Sequence, residues 1–167
     1  MRPPPTFAIP PTFLGVGPAG GGVTVAGIPL DIGTTNRSGS RFGPTAIRQA
    51  SRMLVDGHHP THWVLPAAMG LADIGDFEIA MGELEASLGM IERQARQHRH
   101  LVALGGDHTV TLPLLRGLAP RYGQRLGLIH FDAHVDTWPD SFGLRYGHGS
   151  VFDLAIREGL VDPRRMA

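Results

Sequence analysis

Two short motifs carry the residue types that do chemistry. The first is Gly105-Gly106-Asp107-His108 and the second is Asp132-Ala133-His134-Val135-Asp136. In an extended segment, residues at i, i+2 and i+4 point the same way. Asp132, His134 and Asp136 are therefore expected to converge, offering oxygen, nitrogen and oxygen. That mixture suits a hard or borderline divalent cation such as Mn²⁺, and no sulfur is present to favour softer metals. The two glycines before Asp107 permit a sharp turn, so His108 is expected to swing towards the neighbouring strand end. Asp107 is read as forming that turn or supporting a ligand. By itself Asp-x-His-x-Asp could equally be a polar turn. Its pairing with Gly-Gly-Asp-His after an adjacent apolar strand favours a metal site. His130 is read as a packed, hydrogen-bonded core histidine.

The elements that must position these motifs follow from the apolar pattern. Val23 to Ile28 is β-rich and short, and Pro29 ends it. Pro44 suits a first helical position, with Ala46, Ile47 and Ala50 as an apolar face. Met69 to Ile74 reads as a second strand. Leu84, Leu88, Ile91 and Ala95 fall at helical spacing within a helix expected over 82–100, closed by His98 and His100 where cations suit the carbonyl end. Leu101 to Leu104 is a continuous apolar run of the kind buried on both sheet faces. A helix is expected over 112–121 and a buried strand over 126–131. This alternation predicts an α/β fold with a mainly parallel sheet. Ligands in such folds collect beyond the carboxyl ends of the strands, where both motifs lie. Residues 1–22 hold six prolines and five glycines, which predicts a flexible or draped arm before a domain spanning 23–167. His58, His59 and His62 fall in a loop expected over 53–68 and are read as surface residues.

Bulk properties narrow the function classes. The 167 residues have a formal net charge of +0 and pI near 7.1, with no Lys/Arg run, which argues against nucleic acid or an anionic membrane as partner. With no cysteine, any metal must sit on histidines and carboxylates. No apolar stretch reaches the roughly eighteen residues of a membrane span, and the N-terminus lacks a signal-peptide pattern. A cytoplasmic location is the default expectation.

The motifs together resemble the arginase/agmatinase (ureohydrolase) family. The resemblance is carried by Gly-Gly-Asp-His at 105–108 with the following Thr-Val-Thr-Leu-Pro-Leu-Leu-Arg, and by His-Phe-Asp-Ala-His-Val-Asp at 130–136. Gly27 to Thr35 and Arg41 to Arg48 are similar to the agmatinase and guanidinobutyrase branches, and Gly147 to Ser150 and Glu158 to Pro163 continue the match. The resemblance implies a three-layer α/β/α fold and two Mn²⁺ ions with a bridging hydroxide. It places His108 and Asp136 on one ion, His134 on the other, and Asp132 between both. The hydroxide would attack the guanidinium carbon of a small guanidino substrate, releasing urea and an amine. His148 matches a family histidine that shuttles a proton to the leaving amine, a task within imidazole's titration range. On spacing alone it is a loop histidine beside two glycines.

The family is about twice this length and has a second Asp-x-Asp motif and a later Glu. No such pattern occurs over 137–167. The chain is thus expected to be an N-terminal half, truncated midway through its domain, binding Mn²⁺ weakly and inactive alone. Such a cut predicts an unpaired edge strand. A homo-oligomer is expected of the intact protein. Where arginases place an Asn, this sequence has Trp138, which fits agmatine and the formation of putrescine in polyamine metabolism. Simple packing is the other reading of Trp138. Arg145, in the loop 140–146, could instead read the carboxylate of 4-guanidinobutyrate or 3-guanidinopropionate. Three rivals rank behind: a non-catalytic remnant, a deacetylase-like single-Zn²⁺ site, and a phosphate loop at the glycine runs, which lack the required context.

Overall fold

A computed structural model describes residues 11–54, 57–65 and 68–167. Residues 1–10 of the expected arm and positions 55, 56, 66 and 67 of the 53–68 loop lie outside the described residues. Among the described residues five strands form, β1 (Val23–Ile28), β2 (Leu71–Asp76), β3 (Leu101–Gly105), β4 (Leu126–Leu128) and β5 (Val161–Met166). They alternate with the helices α1 (Gly43–Ser51), α2 (Leu84–Ala95), α3 (Thr111–Leu118) and α4 (Val151–Arg157). The strands make two sheets, in the orders β2-β1-β3 and β4-β5, and every strand pair is parallel.

α2 buries the face predicted for it. Leu88, Ile91 and Ala95 pack with Ala26 and Ile28 of β1, and Leu84 closes over them. Each fully buried Leu or Ile contributes about 1.5–3 kcal/mol. A second apolar cluster joins Leu112 of α3, Val151, Phe152 and Ala155 of α4, and Val161 of β5. Tyr146 packs against both clusters, so the segment following the second motif ties the two sheets together. Part of the expected arm is fixed to this body: the Phe13 N–H donates to Asp73 Oδ2 at 2.6 Å and the Leu14 N–H to Ser51 Oγ at 2.8 Å.

Three expectations are corrected. α2 ends at Ala95 rather than His100, so His98 and His100 do not cap it as cations. The His98 ring stacks on Phe77, and burial holds its pKa below the ordinary value, favouring the neutral ring. His100 leads into the sheet, its carbonyl accepting the Thr24 N–H at 2.9 Å. The run 101–104 is not buried on both faces, since Val102 is 38% exposed, and among the described residues β3 pairs with β1 on one edge only. Finally, β4 stops at Leu128 and does not adjoin β3. Ile129 and Phe131, expected within a buried strand, are exposed.

Candidate metal centre

The Gly105-Gly106-Asp107-His108 turn is built by backbone contact. The Gly106 N–H donates to Ile28 O at 3.2 Å and the Asp107 N–H to Leu30 O at 2.8 Å, which presses the turn onto the end of β1. A Cβ on Gly106 would sit 2.3 Å from Leu30 O and 2.5 Å from Ile28 O. Both atoms are backbone and cannot move aside cheaply. We therefore expect Gly106→Ala to destabilise the protein by about 1–3 kcal/mol, the range for overpacking a filled site. Urea denaturation checks this; unchanged stability would mean that the turn is less tightly seated. Asp107 forms the turn as anticipated. It is buried, with Oδ2 accepting the Gly33 N–H at 3.0 Å and Oδ1 the Thr109 N–H at 2.7 Å. Both carboxylate oxygens are thereby engaged within the fold.

His108 opens the short turn His108–Val110 that leads into α3. Its Nδ1 lies 2.5 Å from Asp136 Oδ2 and 4.0 Å from Asp132 Oδ2. Asp136 is held by α4, its carbonyl accepting the Phe152 N–H at 3.0 Å. Its φ of 47° is left-handed, a conformation that Asp tolerates better than most side chains. This backbone reversal, with the His134 N–H donating to Asp132 Oδ1 at 2.9 Å, means that 132–136 is not extended. The simple i, i+2, i+4 argument consequently fails at its middle member. Asp132 and Asp136 converge, whereas the His134 side chain is 79% exposed, with Nδ1 3.5 Å from Asp132 Oδ1.

His130 takes the remaining place. His108, His130, Asp132 and Asp136 present donor atoms that all lie within 4.8 Å of one another. They are the single such group among the described residues, and His58, His59 and His62 form none. The sequence suggests a packed, hydrogen-bonded core histidine at position 130, without a place in the site. Its separation of two from Asp132 was the signal that both could face one way. The Asp132 carboxyl is held below its usual pKa, first by the His134 N–H and then by the histidines around it. Two imidazoles and two carboxylates make a nitrogen–oxygen set that fits a borderline divalent ion.

His148 begins the turn His148–Ser150, which packs on the His108–Val110 turn. Its N–H donates to Gly33 O at 3.2 Å, and its Nε2 lies 2.9 Å from Thr35 Oγ1. Trp138 is 67% exposed and lies against Gly149, its N–H donating to Gly149 O at 3.1 Å. Trp138 thus borders the His148 turn rather than filling a core. Arg145 is exposed, with its guanidinium 5.1 Å from the centroid of the Tyr146 ring. No helix among the described residues is long and apolar enough to cross a membrane.

Comparison with known proteins matches residues 22–167 to the Arginase family. An agmatinase of Cronobacter sakazakii is 40% identical over 147 residues, covering 84% of this chain and 47% of that protein. Among solved structures, proclavaminate amidino hydrolase from Streptomyces clavuligerus superposes with a TM-score of 0.87 at 33% identity, covering 98% of this chain and 56% of that one. A hypothetical agmatinase from Burkholderia thailandensis gives 0.84 at 36% identity, covering 97% and 54%. The chain therefore spans about half the length of the relatives it matches.

Proposed function

The chain belongs to the arginase family, and from that premise we propose that it carries the N-terminal half of an agmatinase site, hydrolysing agmatine to putrescine and urea with Mn²⁺. The observation that carries this is the convergence of His108, Asp132 and Asp136 beyond the ends of parallel strands. The agmatinase relatives support the choice of substrate. His108, Asp132, His134 and Asp136 are the proposed manganese donors. When bound, such ions supply water activation near neutral pH and polarisation of the guanidino group.

The chain's own residues do the rest. His148, kept in place by Gly33 and Thr35, would pass a proton to the departing amine. Trp138, beside the His148 turn, would wall the pocket where a substrate without an α-carboxylate extends. Arg145 lies in the same loop region and would engage a carboxylate at the far end of 4-guanidinobutyrate or 3-guanidinopropionate. That is the second reading, and the exposed Arg145 guanidinium favours it. These four donors are fewer than two ions require, so residues 1–167 on their own are proposed to be inactive and to hold Mn²⁺ weakly. The intact protein is proposed to be a cytoplasmic homo-oligomer.

The test is a chimaera in which residues 23–167 replace the matching half of an agmatinase relative. Urea release should be faster with agmatine than with 4-guanidinobutyrate and nearly absent with arginine. A preference for arginine would overturn the assignment of Trp138. Metal analysis of the 167-residue chain after Mn²⁺ loading and desalting is the companion measurement. Two tightly held ions per chain would refute the proposed weakness.

A further inference from the structure

We propose that His130 is itself a metal donor: the first ion taken up sits among His108, His130, Asp132 and Asp136, leaving His134 for a second. This inference rests on the arginase-type reading of the same site. Each of the four side chains offers a donor atom within 4.8 Å of the others. The His130 ring is clamped by packing, stacked on His108 at a centroid distance of 5.1 Å and edge-on to the buried Phe152 at 4.6 Å. That clamp fixes where its nitrogens point.

Its Nε2 lies 3.4 Å from Asp132 Oδ2. This is long for an N–H···O hydrogen bond. It matches two donors sharing one ion, since donor–ion bonds of about 2.1 Å put neighbouring donors roughly 3–3.5 Å apart. Packing alone accounts for the two ring contacts but not for a nitrogen aimed at a carboxylate that His108 also approaches. His134 lacks this preparation. It follows the Asp132 turn with its side chain 79% exposed, and although its Nδ1 is 3.5 Å from Asp132 Oδ1, it lies outside the group of four whose donor atoms converge.

The experiment titrates the 167-residue chain with Co²⁺, a spectroscopic stand-in for Mn²⁺. Visible absorbance gives the affinity, and contact-shifted proton NMR counts the exchangeable imidazole N–H signals of ligated histidines. His130→Phe keeps a ring to stack on His108 and Phe152 but removes the nitrogens. Wild type should show two shifted imidazole signals. His130→Phe should lose one of them and weaken Co²⁺ by more than about a hundredfold, beyond the ten- to hundredfold cost of losing a residue that only supports a ligand. His134→Phe should keep both signals. Should His130→Phe misfold, Zn²⁺ added to the ¹⁵N-histidine-labelled wild type decides instead, by shifting the His130 Nε2 resonance and not that of His134. Two signals retained in His130→Phe, or one lost in His134→Phe, overturns the inference while the metal site stands. No uptake of Co²⁺ or Mn²⁺ by wild type removes the metal reading itself.

Discussion

Asp132→Ala should abolish specific metal uptake by this chain, a larger loss than removal of any one histidine. Among the described residues, Asp132 is the one carboxylate within 4.0 Å of His108, His130 and His134 alike. Its Oδ2 lies 3.4 Å from His130 Nε2 and 4.0 Å from His108 Nδ1, and its Oδ1 is 3.5 Å from His134 Nδ1. It is therefore a donor whether the ion takes His130 or His134. The His134 N–H and the surrounding histidines keep it ionised, so at neutral pH no proton competes with the ion. Without it, Asp136 is the lone carboxylate of the group, and an imidazole nitrogen brings no negative charge to replace the one lost. Affinity should fall by more than about a hundredfold, past the cost of losing a mere supporting residue. Asp132→Asn, which keeps one oxygen without the charge, should fall between. The electron paramagnetic resonance signal of free Mn²⁺ during titration measures both. An Asp132→Ala chain that still binds within tenfold of wild type would place the ion elsewhere.

The sequence showed the site's membership better than its shape. His108, Asp132 and Asp136 were legible because residue type and position after an apolar run suffice to find them. The spacing of His130 from Asp132 carried a signal, but the setting of His134 depends on the chain turning at Asp132, with Asp136 left-handed beyond it. Residue spacing alone cannot register a reversal of that kind. The same distinction runs through the fold. α2 was found from its apolar stripe, a local property, whereas its end was overestimated because polar residues beyond Ala95 give no periodic stop signal. Strand adjacency is non-local. The runs 101–104 and 126–131 are both apolar and were expected to be neighbours, but each has a partner on one edge only. The exposed Val102, Ile129 and Phe131 along these segments mark apolar surface whose covering the local pattern could not specify. Arg48 was equally hidden. Its residue type and position say nothing of its setting: it is 7% exposed, with the partners of its guanidinium all in β2, more than twenty residues away.

That arrangement makes Arg48→Met the substitution expected to cost most stability. Arg48 Nε and Nη2 donate to the two oxygens of Asp73 at 2.8 and 2.9 Å, Nη2 also donates to Gly75 O at 2.8 Å, and Nη1 donates to Asp76. Gly27 is part of the design, since a Cβ there would sit 2.9 Å from Arg48 Nη1 and 2.8 Å from Pro44 Cβ. Asp73 is 1% exposed. Burial by itself would raise its pKa, but hydrogen bonds from Arg48 and from the Phe13 and Gly75 N–H groups outweigh that and hold it below the ordinary value. Removing the guanidinium leaves a buried carboxylate without its cation, which costs about 3–5 kcal/mol. That is a large part of the roughly 5–15 kcal/mol that holds a typical domain folded. The Asp76 contact adds little, because that side chain is 38% exposed. Acid should expose the cause. In wild type, the depressed pKa of Asp73 contributes stability that is complete above the unfolded value near 3.9 and is lost as pH falls through the folded value. In Arg48→Met, burial dominates and a protonated Asp73 becomes the preferred form. The stability gap should therefore narrow as pH drops through the carboxylate range, whereas a defect in α1 packing alone would keep it constant. Denaturant midpoints at neutral and acid pH separate the two, and a gap that did not change with pH would refute the ion-pair account.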